Sequence, residues 1–308
     1  MKRGVVFPLA DAKVTELHGI RPSWEEVAFS ATHRGRIPRG DGRHRRRVQR
    51  RGDRVGFMTD VIKVAVLGAA GRMGSQAVDA VNAAEDMELV AALGSSDALD
   101  ALVEAEADVV VDLTVPDASE ENVRFAVSHG MHAVVGTTGW DEAKLGRLNE
   151  LLEKNPGVGV LIAPNFAIGA VLAGKFAATA SKYFESVEVI ELHHPEKLDA
   201  PSGTARHTAQ EIAQARREAG RGPSPDATQT DPEGSRGAVI DDVHVHAVRL
   251  RGLVAHEEIV LGDIGQQLTI RHDSFDRVSF MPGVLLGVRT VGERPGLTHG
   301  LDGYLDLA

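Results

Sequence analysis

The sequence contains no cysteine. Disulfides, thiolate metal sites and a cysteine nucleophile are therefore excluded, and the usage fits a reducing compartment. Aromatic residues make up only 4% of the chain, so its core must be aliphatic. No run of about 18 apolar residues is present to span a bilayer, and the N-terminus lacks the apolar stretch of a signal peptide. A cytoplasmic protein with no membrane partner is the expectation. The remaining composition, 43% apolar and 25% charged over 308 residues, is that of a globular protein with room for one large or two medium domains.

The net charge of −10 is unevenly spread. Residues 1–57 carry 14 basic and 6 acidic side chains, whereas the remainder carries 20 basic and 38 acidic. An acidic body argues against nucleic acid as a partner. The basic cluster GRIPRGDGRHRRRVQRRGDR reads either as a nucleic-acid arm or as a disordered or non-native extension. The second reading is preferred, because apolar periodicity is weak there and Met58 stands just before the first clear strand.

From Met58 onward, aliphatic runs alternate with helical periodicity. VIKVAVLG, MELVAAL, DVVVDLT, HAVVGTTG and GVGVLIAPN read as five buried strands, with helices between them. Ser119 is the expected N-cap of the helix ASEENVRFAVSHG. This rhythm predicts an α/β fold with a Rossmann-like, doubly wound parallel sheet. After a helix near 168–184 the pattern changes. VEVIELHHPEK, a helix from Ser202 to about Ala219, and the runs VHVHAVRLRG, AHEEIVLGD and GQQLTIRHDS predict a second, α+β domain with an antiparallel or mixed sheet. The tail reads as a helix and a closing loop that return to the first domain.

Two segments carry chemistry. GAAGRMG, comprising Gly68, Ala69, Ala70, Gly71, Arg72, Met73 and Gly74, ends the first strand and opens a helix. Glycines there let a pyrophosphate approach the backbone and the helix N-terminus, so dinucleotide binding is favoured over a structural turn. Arg72 is placed to reach a phosphate. The second strand ends in LGSSD, without a clear acid or base at its tip, so NADH and NADPH both remain open. Gly136, Thr137 and Thr138 after the fourth strand, and Ala163, Pro164, Asn165 and Phe166 after the fifth, are the candidates for flanking a nicotinamide ring.

The second segment is ELHHPEKLDAPSGTA. Ser202 begins a helix with Gly203 and Thr204 in its first turn, where free N–H groups and a hydroxyl suit a carboxylate. His193, His194 and Lys197 precede it and supply protons and positive charge. His244 and His246 share a strand face, but no helical metal motif or thiolate accompanies them, and no metal site is expected.

With GAAGRMG, VVGTTGW, APNFAIG, ELHHPEKLDAPSGTA and LTIRHDSFDRVSFMPGVLLGV in this order, residues 61 to 308 resemble the dihydrodipicolinate (4-hydroxy-tetrahydrodipicolinate) reductases of diaminopimelate and lysine biosynthesis. HAVRLRGLVAHEEIVLG resembles the actinobacterial branch in particular. The resemblance implies an NADPH- or NADH-dependent oxidoreductase. Hydride goes to C4 of an unsaturated cyclic dicarboxylate, with His193 as general acid and Lys197 as second proton donor. His194, Ser202, Gly203 and Thr204 would hold substrate carboxylate. Gly68 to Met73, Gly136 to Thr138 and Ala163 to Phe166 would hold the cofactor. It also implies a homotetramer, with residues 58–167 and 277–308 as the dinucleotide domain and 168–276 as the substrate and tetramerisation domain. Aspartate-semialdehyde dehydrogenase, a rival on the same plan, needs the cysteine this chain lacks. Diaminopimelate dehydrogenase would lack the HHPEK…SGT segment. A nucleotide sensor without catalysis is the rival from another class.

Overall fold

The computed structural model describes residues 61–305. The expectation for residues 1–57 falls outside them.

Aliphatic strands with short polar breaks build the first sheet. In chain order its elements are β1 (Ile62–Leu67), α1 (Gly74–Ala83), β2 (Met87–Leu93), α2 (Asp100–Glu104), β3 (Val109–Asp112), α3 (Pro116–Ser128), β4 (His132–Val135), α4 (Glu142–Glu153) and β5 (Gly159–Ile162). Successive side chains on a strand point to opposite faces. Val64 and Val66 of β1 therefore join one core, with Ala77 and Val81 of α1. Ala65 and Leu67 join another, with Leu102 of α2 and Ala126 of α3. A sheet buried on both faces needs apolar residues at every position, which explains the unbroken aliphatic runs.

The second half contains α5 (Ile168–Ser181), β6 (Ser186–His193), α6 (Gly203–Glu218), β7 (Ala238–Ile240), β8 (Val243–Arg249), β9 (Ala255–Asp263), β10 (Gln266–Ser274), α7 (Met281–Thr290) and β11 (Gly296–His299). Strands β6 to β10 form a five-stranded mixed sheet in the order β10-β9-β6-β8-β7. Helices α5 and α6 cover one face through Ala173, Ala177, Ala209 and Ile212 against Val187, Val189, Val245 and Ile259.

Two sequence expectations are corrected. Ser119 is not an N-cap: α3 starts a turn earlier with Pro116 at its first position, after Val115. Proline fits there because the first N–H has no intrahelical partner. Ser119 is instead buried, its hydroxyl donating to Asp112 Oδ2 at 2.5 Å. The second sheet is mixed, as expected: β9 pairs antiparallel with β10, while β6 lies between β8 and β9 and runs parallel to β8. The closing loop contains β11, which pairs in parallel with β5 and completes a six-stranded sheet, β11-β5-β4-β3-β1-β2. With α7 packed through Val284 and Val288 into the core of that sheet, the tail does return to it.

Candidate active site

Two features meet the carboxyl edge of the parallel sheet. The first is a cleft of about 900 Å3 lined by Gly68, Ala70, Gly71, Arg72 and Met73 on one side and by Gly94, Ser95, Asp97, Thr114 and Asn122 on the other. Gly68 has φ +76°, and a Cβ there would lie 2.6 Å from the Leu113 carbonyl oxygen. A Cβ on Gly74 would collide with the Gly68 backbone. The turn is thus drawn tight against the start of α1, whose N-terminus has no side-chain cap. Free N–H groups beside a large cleft fit an anionic dinucleotide. Gly68→Ala should destabilise the fold by about 1–3 kcal/mol and weaken NADH and NADPH binding at least tenfold, read by thermal melting and calorimetric titration.

The tip of β2 holds more than the sequence showed. Asp97 folds back so that its Oδ2 accepts the Gly94 N–H at 2.7 Å, placing a carboxylate on the cleft wall four residues beyond the end of β2. The side chain reaches back three residues to produce this, and a search for an acid directly after the strand misses it. Behind the opposite wall, buried Asp112 accepts the Thr114 N–H at 3.0 Å and the Thr114 and Ser119 hydroxyls at 2.5 Å, fixing the loop after β3. Asn122 donates to the Thr114 hydroxyl at 3.2 Å.

Gly136 to Thr138 follow β4, and Ala163 to Phe166 follow β5, along the same edge. Thr137 is buried, with its hydroxyl 3.4 Å from Asp112, while Thr138 is exposed. Ala163 and Phe166 belong to the core. Asn165 faces the start of α6: its Nδ2 donates to the Thr204 hydroxyl at 3.1 Å, and its Oδ1 accepts the Ala167 N–H at 2.8 Å. Ala69 packs against the core rather than lining the cleft.

The second feature is the end of β6 and the start of α6. The inward phase of β6 runs Val187, Val189, Glu191, so the strand buries a carboxylate where the sheet meets the loop. Glu191 is 0% exposed. Its Oε2 accepts from His193 Nδ1 at 2.6 Å and from Arg249 at 2.7 Å; its Oε1 accepts from Arg249 at 2.8 Å and from the Ser202 N–H at 3.0 Å. Burial opposes ionisation here. Hydrogen bonds from His193 and Arg249, the His193 charge and the Ser202 N–H outweigh it, leaving Glu191 at about 2 instead of the usual 4.5. One carboxylate thus ties together the histidine, the helix start and an arginine from β8. The sequence reading gave neither Glu191 nor Arg249 a role.

Ionised Glu191 only accepts hydrogen bonds, so His193 Nδ1 donates and Nε2 is left for another partner. The imidazole side chain is 12% exposed. Ser202 is the N-cap of α6, its Oγ accepting the Ala205 N–H at 3.1 Å, as the sequence predicts. A side chain at Gly203 would project into open space, so nothing within the described residues demands glycine there. His193, Ser202, Thr204 and Asn165 line one small cavity.

His194 and Lys197 are outside that lining. His194 Nδ1 lies 3.2 Å from Glu196, and Lys197 Nζ donates to Asp199 Oδ1 at 2.7 Å. Burial works against the Asp199 charge, but Lys197 and the backbone, including the Gly203 N–H, hold its pKa below the usual carboxylate range. Asp199 therefore lies against Lys197, which the resemblance makes a proton donor, and Gly203, which it gives to a substrate carboxylate. His244 Nδ1 contacts the Arg236 carbonyl at 2.8 Å, and His246 Nε2 contacts Glu188 at 2.7 Å. Among the described residues no three His, Asp or Glu side chains converge as a metal site.

A dinucleotide cleft on a doubly wound sheet, joined to an α+β unit that brings a histidine and a helix N-terminus to the same edge, defines a two-part dinucleotide-dependent oxidoreductase. Family models narrow this class. Residues 62–166 match the dihydrodipicolinate reductase N-terminus, and residues 169–305 match its C-terminus. The chain belongs to the dihydrodipicolinate reductase family. It is 63% identical over 246 residues to the 4-hydroxy-tetrahydrodipicolinate reductase of Streptomyces coelicolor, covering 80% of this chain and 98% of that protein. The Nocardia farcinica reductase is 60% identical over 246 residues, covering 80% and 99%. The dipicolinate-bound dihydrodipicolinate reductase from Paenisporosarcina sp. TG-14 superposes with a TM-score of 0.72 at 40% identity, over 80% of this chain and all of that one.

Proposed function

We propose that the chain is an NADH- or NADPH-dependent 4-hydroxy-tetrahydrodipicolinate reductase of diaminopimelate and lysine biosynthesis. The observation that carries this reading is the Glu191 junction, which holds His193 and the Ser202 helix start in fixed register, with Thr204 tied to Asn165 of the loop after β5. Gly68, Ala70, Gly71, Arg72 and Met73 would hold the dinucleotide phosphates, and the loops after β4 and β5 would flank its ring. Once the C4 hydroxyl has left as water to give the unsaturated ring, a reduced nicotinamide bound there would supply a hydride to C4. The helix N-terminus at Gly203 and Thr204 binds one substrate carboxylate, with Lys197 and His194 adding positive charge. His193 Nε2 delivers the proton to C3, while Glu191 fixes the tautomer and balances the imidazolium charge. For Lys197 to reach substrate it must exchange its Asp199 partner for the substrate carboxylate, so the internal carboxylate holds the site until the external one arrives.

The two sheets correspond to a dinucleotide domain, 58–167 with 277–308, and a substrate and tetramerisation domain, 168–276. The homotetramer rests on family membership, and β7 and β10 leave open sheet edges. A cytoplasmic location rests on the lack of cysteine, and no helix among the described residues is long and apolar enough to cross a membrane.

The test is nicotinamide oxidation by the full chain with the freshly made condensation product of pyruvate and aspartate semialdehyde, run with each cofactor. Turnover supports the reductase; cofactor binding with no turnover sinks it in favour of a sensor. Asp97 bears on the choice of cofactor, because a carboxylate at the cleft wall disfavours a 2′-phosphate. Asp97→Ala should raise kcat/KM for NADPH relative to NADH roughly tenfold, the order of one charge contact.

A further inference from the structure

The mechanism above leaves one buried carboxyl without a task. Glu257 on β9 is 5% exposed. It pairs across the sheet with Glu191 on β6 and with His272 on β10. The Thr208 hydroxyl of α6 lies 3.3 Å from its Oε2, and its Oε1 is buried without any hydrogen-bond partner. Glu257 lines the same small cavity as His193, Ser202, Thr204, Asn165 and His272. At about 20 Å3, this space admits a water-sized group. An unsatisfied buried oxygen beside the proposed carboxylate clamp is unexplained by packing alone.

The groups facing Glu257 can be named element by element. From β6 come Glu191, locked by Arg249 of β8, and His193. From β10 comes His272, whose pKa is lowered chiefly by burial. On its own strand, His256 is engaged elsewhere, bonding Asp273 at 2.7 Å and accepting the Val254 N–H at 3.2 Å. Helix α6 presents Thr204 and Thr208, and α5 presents Ala170. Among the described residues no cation pairs with Glu257. Burial pushes its pKa up to about 7; the Thr208 hydroxyl opposes this, and the Glu191 charge adds to it. Two carboxyls face each other across the strands, Glu191 ionised and Glu257 held largely neutral below about pH 7.

We propose that Glu257 sets substrate affinity: as a neutral acid it donates its O–H, directly or through one water, to a carboxylate held at the Ser202–Thr204 turn, and its ionisation repels that carboxylate. The proposal rests on the dicarboxylate reading of the site. It makes the affinity of an anionic ligand fall with rising pH, because only the protonated fraction is competent to bind. His193 lines the same cavity, so its contribution must be separated from that of Glu257 by substitution.

The experiment is calorimetric titration of dipicolinate into the full chain with saturating NADH or NADPH, whichever binds more tightly, at pH 6.5 to 8.5, for the wild type, Glu257→Gln and His193→Gln. The expected wild-type dissociation constant rises at least about tenfold over this range. Glu257→Gln, which keeps a neutral donor, should hold its pH 6.5 affinity to within about threefold at pH 8.5, and His193→Gln should keep a Glu257-dependent fall. A Glu257→Gln curve parallel to the wild type overturns the proposal while leaving the dicarboxylate site standing. No dipicolinate binding to the wild type at any pH overturns both. A second measurement needs no folded variant: with 13C-carboxyl glutamate, one wild-type resonance should titrate near pH 7 and move on adding dipicolinate. Absence of such a resonance, or its indifference to dipicolinate, also overturns the proposal.

Discussion

Replacing His193 with glutamine lowers kcat by about 10²- to 10⁴-fold, the usual contribution of a positioned general acid, while NADH and NADPH affinities stay as they were. The separation follows from placement. His193 lines the small cavity with Ser202 and Thr204, and it is absent from the wall of the dinucleotide cleft. Glutamine can still donate an N–H to Glu191, so the Ser202 helix start keeps its anchor and the fold survives. A variant that lost cofactor affinity together with turnover would assign His193 to the scaffold instead. Steady-state kinetics beside cofactor titration reads the difference.

Arg249→Met should be the most damaging single change to stability. Glu191 is wholly buried, and Arg249 supplies two of its four hydrogen bonds. Removing the guanidinium leaves a buried carboxylate short of charge compensation, a defect costing about 3–5 kcal/mol. For a unit of this size the melting temperature should drop by roughly 6–20 °C. The guanidinium also donates to the Asp199 carbonyl at 2.8 Å, so the loop carrying Lys197 should loosen and KM for the substrate should rise. The pH dependence has a definite sign. Glu191 has a depressed pKa, about 2 against 4.5, so its stabilisation is complete above pH 4.5 and is lost as pH falls from 4.5 towards 2. The gap in melting temperature between wild type and variant should therefore narrow below about pH 4.5. A gap of constant size down to pH 3 would mean that Arg249 acts by packing alone. Glu257 works in the opposite direction: its raised pKa, about 7, favours the folded state at low pH, and that contribution is lost as pH rises from 4.5 through 7.

Much of this architecture is written locally. The five aliphatic runs of the first sheet, the glycine turn and the Ser202 cap depend on neighbours within a few residues. β2 and β9 begin and end where their runs do, at Met87–Leu93 and Ala255–Asp263. What escaped the sequence is long-range. Glu191 and Arg249 are 58 residues apart and meet only because β6 pairs in parallel with β8. Glu257 faces Glu191 only because β6 is inserted between β8 and β9, and no local period announces strand order. β11 looked like a loop because GLTH is short and follows a Gly-Pro-rich stretch; its pairing with β5 makes it a strand. Ser119 shows the reverse error, a good capping residue overruled by Pro116 and claimed by buried Asp112.

The central claim is that this chain reduces a cyclic dicarboxylate at the junction organised by Glu191. Its most direct test is a single turnover with the full chain, fresh pyruvate–aspartate-semialdehyde condensation product and a reduced nicotinamide deuterated at C4 on the transferable face. The account predicts a product one mass unit heavier, with deuterium at its C4, formed by the wild type and slowed at least about a hundredfold in His193→Gln. Unlabelled product, or equal rates for the two proteins, would contradict it.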